Sequence, residues 1–185
     1  MKEEYNVREF RDGIFSLRTR RFGSVAEIMI KSLFDLDESH RLEYDKYDSA
    51  SKMRVEIKFS TVMKKNEDTI KDDNVVEQCL QANVAKRAMS YMDVDKYQFD
   101  CNIQQIKRTE FDVLYYGLFF ADKILIFRMH SSDVLRCVGY SDSQHRGNEG
   151  EGQFHIKNDN LQYHMKNFFI KELTYFDLLE LFKQL

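Results

Sequence analysis

Three residues near the first third of the chain carry the chemistry on offer: Asp45, Glu56 and Lys58. Residues 53–61 alternate strictly, with Met53, Val55, Ile57 and Phe59 apolar and Arg54, Glu56, Lys58 and Ser60 polar. A period of two is the mark of a strand. Upstream, Leu42 and Tyr44 alternate with Glu43 and Asp45. The small polar run Ser49-Ala50-Ser51-Lys52 lies between, so the pair reads as a hairpin. With Ala50 and Ser51 at the tip, Asp45 faces Glu56, Tyr47 faces Arg54 and Glu43 faces Lys58. Carboxylates placed directly opposite each other repel and weaken a sheet. A positive group between them removes the penalty, and a hard divalent cation with oxygen ligands is the natural candidate. Asp45 and Glu56 are therefore the expected metal ligands. Lys58 follows Glu56 by two residues and projects from the same face. Asp48 points to the opposite face, beside Met53, which favours Asp45 as the partner carboxylate.

That set suits phosphodiester hydrolysis. A cation held by two carboxylates polarises a phosphoryl oxygen and acidifies a water. A lysine beside it orients that water or offsets charge developing on phosphorus.

The flanking segments must position these groups. In GSVAEIMIKSLFDL, Val25, Ile28, Met29, Ser32 and Leu33 share one helical face, with Ser24 as the expected cap. A second helix is expected over about 73–92, from Val76, Leu80, Val84 and Ala88 at i+4 spacing. Phe99, Cys101 and Ile103 mark a strand within 98–107. FDVLYYGLFF and ILIFRMH flank Ala121-Asp122-Lys123 as a largely buried hairpin. The glycine-rich stretch from Gly147 to Gly152 reads as a polar loop. A short helix is expected at about 160–169. Thr174 and Asp177 have the spacing of a capping box opening a last helix, with Leu178, Leu181 and Phe182 facing inward.

Asp45 followed by Glu56-Ile57-Lys58 at the end of an apolar strand resembles the PD-(D/E)XK nuclease superfamily, with Tyr44 where the motif name has proline. RTRRFGSVAEIMIKSLF is similar to the first helix of type II restriction endonucleases of that superfamily, and Glu27 matches its acidic residue near the active site. FDCNIQQIKRTEFDVLYYGLFF resembles the strand and hairpin after the motif, where a glutamine reaches the site. Gln105 is the closer match and Gln104 the other. The resemblance covers most of residues 16–130. It implies an α/β (α+β), restriction-endonuclease-like fold with a central mixed β-sheet flanked by α-helices, and Mg²⁺ as cofactor. It further implies cleavage of double-stranded DNA at a short specific sequence, 5′-phosphate ends, and a homodimer with one active site per strand. A structure-directed repair or junction nuclease of the same fold, or a non-catalytic DNA- or partner-binding subunit, are the other readings.

At 185 residues the chain is expected to form one domain spanning 1–185. The net charge of −3 gives no general attraction to nucleic acid, so any DNA contact must be local. Arg18, Arg20 and Arg21 are candidates for phosphates, or for pairing with nearby acids. Residues 144–156 form a possible DNA-recognition loop. Gln144, His145, Arg146, Asn148 and Glu149 in it carry donors and acceptors suited to base edges, or make a plain surface loop. The three cysteines are scattered and the histidines at 145, 155 and 164 do not share a helical turn, so neither disulfides nor a zinc site are expected. The absence of an apolar run long enough to span a bilayer, or of an apolar leader, points to a cytoplasmic protein.

Overall fold

The computed structural model describes residues 6–66, 68–143 and 150–185. Two helices come first, α1 (Val7–Ser16) and α2 (Thr19–Phe34). Asn6 caps α1 by accepting from the backbone of Arg8 and Glu9. Three strands follow, β1 (Asp37–Glu38), β2 (Lys46–Asp48) and β3 (Met53–Thr61). Short helices α3 (Val75–Gln81) and α4 (Val84–Arg87) precede β4 (Asp100–Ile106), β5 (Val113–Phe119) and β6 (Ile124–His130). The described chain ends with α5 (Ser131–Val134), β7 (Gly152–Lys157), α6 (Leu161–Asn167), β8 (Phe169–Leu173) and α7 (Tyr175–Phe182).

The fold is mixed α/β. A six-stranded sheet runs β1-β2-β3-β5-β6-β8, and β4 pairs with β7 as a separate ribbon. Among the described residues only β3 and β5 pair in parallel; the other strand pairs are antiparallel. Strand β5 is buried throughout, which its unbroken apolar run requires. Its residues alternate between two cores. Val113, Tyr115 and Phe119 pack with Phe22, Ala26, Met29 and Ile30 of α2. Leu114, Tyr116 and Leu118 pack with Ile103, Phe154 and Ile156 of the ribbon. Helix α2 thus covers one face, and the ribbon together with α5 and α6 covers the other. Gly117 of β5 sits where a Cβ would lie 2.1 Å from the Leu125 carbonyl oxygen and 2.4 Å from the Phe59 ring. Among the described residues no helix is long and apolar enough to cross a membrane.

Several expectations need correction. Helix α2 begins at Thr19, not after Ser24; Ser24 lies inside it and its hydroxyl donates to the Arg20 carbonyl. The expected helix over 73–92 is two short helices. Asn83 separates them, because its side chain accepts from the Ala85 N–H and starts a new helix. Val76 and Leu80 are 71% and 61% exposed, so their i+4 spacing marks a face that nothing in the described chain covers. Strand β2 is shorter than the alternation of residues 42–45 implies, and Leu42 is fully exposed. Glu43 therefore has no strand partner in Lys58. The register holds within β2, where Tyr47 faces Arg54 and Asp48 faces Met53, but Asp45 lies outside the strand and does not pair with Glu56 across the hairpin. Asp48 closes the turn, accepting from the Ala50 and Ser51 N–H groups. Strands β7 and β8 are additions that the spacing does not predict. Thr174 and Asp177 form the expected capping box.

Candidate active site

The site follows from the shortness of β2. That strand pairs with β3 only as far as Lys46 opposite Val55. Beyond Val55, no strand of the described chain covers this edge of β3. The first bare donor, the Ile57 N–H, is taken by Asp45 Oδ2 at 2.8 Å. Asp45 itself is anchored by its N–H on the Val55 carbonyl, 3.0 Å away. Backbone bonds on both sides of the hairpin thus hold the Asp45 carboxylate against β3.

Glu56 and Lys58 project beside it. Lys58 Nζ lies 2.5 Å from Glu56 Oε1 and 4.0 Å from Asp45 Oδ2. One ammonium thus sits between the two carboxylates, offsetting the repulsion their spacing predicts. Glu56 is 8% exposed. Burial raises its pKa to about 7; Lys58 opposes the rise and Asp45 adds to it. Burial works against the Lys58 charge, but Glu56 and Asp45 outweigh it and hold that pKa above the ordinary lysine value.

Glu27 reaches the same place from α2. Its pKa is raised, first by burial and then by the nearby Asp45, against the pull of Lys46 and Lys58. Lys46 Nζ lies 3.5 Å from Glu27 Oε2 and 2.8 Å from Glu38 Oε2. Glu38, also bonded by Lys31, is held down at about 2. Sequence reasoning misses Lys46 and Glu38, although a signal exists. Lys46 faces Val55 on the helix-covered side of the sheet, and a buried lysine needs an acid.

A cleft of about 610 Å³ opens over this edge. Helix α2 forms one wall with Arg20, Gly23 and Glu27; β4 forms the other with Asn102, Gln104 and Gln105; Asp45 and Lys58 lie on its floor. Gln105 occupies the bulge between Gln104 and Ile106 with φ +60. A left-handed glutamine is uncommon, and bulges re-aim side chains at such walls. Neither glutamine bonds Asp45, Glu56 or Lys58. Of the three arginines, Arg20 lines the cleft; Arg18 and Arg21 are outside it. Gln144, His145, Arg146, Asn148 and Glu149 lie outside the described residues.

Among the described residues no three His, Cys, Asp or Glu side chains are grouped to hold a metal ion. Two carboxylates do converge, each on one shared cation, Lys58. Asp45 Oδ1 and Glu56 Oε2 accept no hydrogen bond from the described residues. Such a donor set fits Mg²⁺, which is commonly held by one or two carboxylates and completes its shell with waters and substrate phosphate.

No family model, no curated protein and no solved structure matches this chain.

Proposed function

We propose that the protein is a Mg²⁺-dependent endonuclease of the PD-(D/E)XK superfamily, a type II restriction endonuclease that cuts double-stranded DNA at a short specific sequence. The observation that carries this reading is the convergence of Asp45, Glu56 and Lys58 at an open strand edge, with Asp45 and Lys58 on the floor of a cleft that Glu27 also lines. In this reading the fold is restriction-endonuclease-like, and two copies act together, one on each strand.

Asp45 and Glu56 would hold the cation. When bound, Mg²⁺ supplies Lewis acidity to the scissile phosphate and to the attacking water. A raised Glu56 pKa makes the ionised carboxylate costly at neutral pH, and a cation beside it offsets that cost. Lys58 keeps its proton and faces the charge that builds on phosphorus. Water adds to phosphorus and the bond to the 3′ oxygen breaks. The water gives up a proton and the 3′ oxygen takes one, leaving a 5′-phosphate and a 3′-hydroxyl. Glu27, with its pKa raised, stands where it can orient water near Asp45. Arg20 and Gln105 on facing walls meet the DNA entering the cleft.

The test is incubation with unmethylated phage DNA, with Mg²⁺ or with EDTA, followed by a gel. Discrete bands that depend on Mg²⁺ are the expected result. A smear would turn the reading to a non-specific or structure-directed nuclease. Intact DNA in both lanes would overturn the enzymatic reading for the chain alone.

A further inference from the structure

Strand β3 leads out of the catalytic cleft into a second hollow. Beyond Thr61 the chain stays extended: the Val62 N–H bonds the Phe119 carbonyl, and Met63 bridges Ala88. The Lys64 N–H then donates to the Arg87 carbonyl at 2.8 Å and the Lys65 N–H to the Gln98 carbonyl at 2.7 Å. These bonds draw the end of α4 and the segment before β4 around one hollow of about 420 Å³. Lys64, Lys65, Lys86, Arg87 and Tyr97 line it, with Asp68 as an acid among them. Lys64 Nζ lies 4.4 Å from the centre of the Tyr97 ring, so its ammonium is held in place without being neutralised. Lys86 and Arg87 are exposed, and their side chains make no ion pair or hydrogen bond with the described residues.

Cations gathered in this way repel one another. In a chain of net charge −3, acids to pair them are plentiful, yet among the described residues none pairs with Lys86 or Arg87. Thr61, on the wall of the catalytic cleft, is three residues from Lys64, about 10 Å at roughly 3.3 Å per extended residue. A duplex turn is about 34 Å long, so DNA seated over Lys58 is long enough to span that distance.

We infer that the hollow formed by Lys64, Lys86 and Arg87 is a second nucleic-acid site, gripping backbone phosphates of the same duplex that enters the catalytic cleft. The inference rests on the nuclease reading for the identity of the anion. The site contributes affinity and takes no part in the chemistry.

The experiment compares the wild-type chain with the double variant Lys86→Ala, Arg87→Ala. Anisotropy of a labelled duplex is followed in EDTA, at salt from about 50 to 200 mM. With about 0.9 counterions released per phosphate contact, the slope of log K against log salt should fall in magnitude by about 2. Affinity near 0.1 M salt should drop at least about tenfold. Single-turnover cleavage at saturating protein should stay within about twofold, since neither residue touches the catalytic cleft. The variant Lys86→Arg, Arg87→Lys keeps both charges and should keep the slope. An unchanged slope in the alanine variant, with cleavage by the wild-type chain, overturns this site alone. A lowered slope with no cleavage by the wild-type chain overturns the nuclease reading and leaves this site standing. No duplex binding by the wild-type chain overturns both.

Discussion

Replacing Glu56 by glutamine should abolish cleavage and, in EDTA, remove the loss of stability that the wild-type chain undergoes as pH rises through neutral. The folded structure raises this carboxyl from 4.5 to about 7, chiefly by burial. A raised acid favours folding only while protonated. Its contribution is fully present below about 4.5 and is lost as pH rises through about 7. At about 1.4 kcal/mol per pH unit, the loss is of the order of 3 kcal/mol by pH 8. Glutamine has nearly the same shape and no proton to lose, so that loss disappears. The difference in unfolding free energy, variant minus wild type, should therefore grow by up to about 3 kcal/mol between pH 5 and pH 8. Urea unfolding at several pH values in EDTA reads it directly. Mg²⁺ should narrow the gap, because it favours the ionised carboxylate: at a hundred times its Kd it stabilises the wild-type chain by about 2.7 kcal/mol. Parallel pH profiles for the two proteins in EDTA would refute the burial argument. A variant that still cuts would refute the role of Glu56.

Asp45→Asn should eliminate cleavage, about a thousandfold or more, while the new amide oxygen still accepts from the Ile57 N–H and unfolding shifts by about 1 kcal/mol at most. Lys58→Ala should slow single-turnover cleavage strongly and leave duplex affinity in EDTA nearly unchanged; a large loss of affinity with normal turnover would reverse its role. His164, with no exposure and its Nε2 unpaired among the described residues, is lowered by burial from 6.5 to about 4. Its contribution is complete above about 6.5 and is lost as pH falls towards 4, about 3 kcal/mol in all, and His164→Phe should flatten that acid limb of the stability curve. Gly117→Ala should cost about 3 kcal/mol in urea unfolding, because its Cβ meets a carbonyl oxygen at 2.1 Å and the backbone must move.

The parts legible in the sequence are those governed by local geometry. A strand period of two and a short polar turn determine that Tyr47 faces Arg54, and hence that Asp45, Glu56 and Lys58 belong together. The capping box at Thr174 and Asp177 and the buried strands β5 and β6 are equally local. What needs distant chain was decided by the tertiary structure. Val76 and Leu80 have a helical spacing as good as that of α2, but spacing does not say whether anything packs on a face. Strand β7 is a clear case of the same limit, since Phe154 and Ile156 are buried in a core that includes β4 and β5, which are distant in sequence. The site divides in the same way. The hairpin carboxylates and lysine could be read from sequence. The parallel pairing of β3 with β5, the short β2 that bares the Ile57 edge, and the approach of Glu27 through Lys46 and of Gln105 through its bulge could not. Sequence period fixes which side of an element a residue faces, whereas burial, desolvation and raised pKa values depend on what the rest of the chain brings to that side.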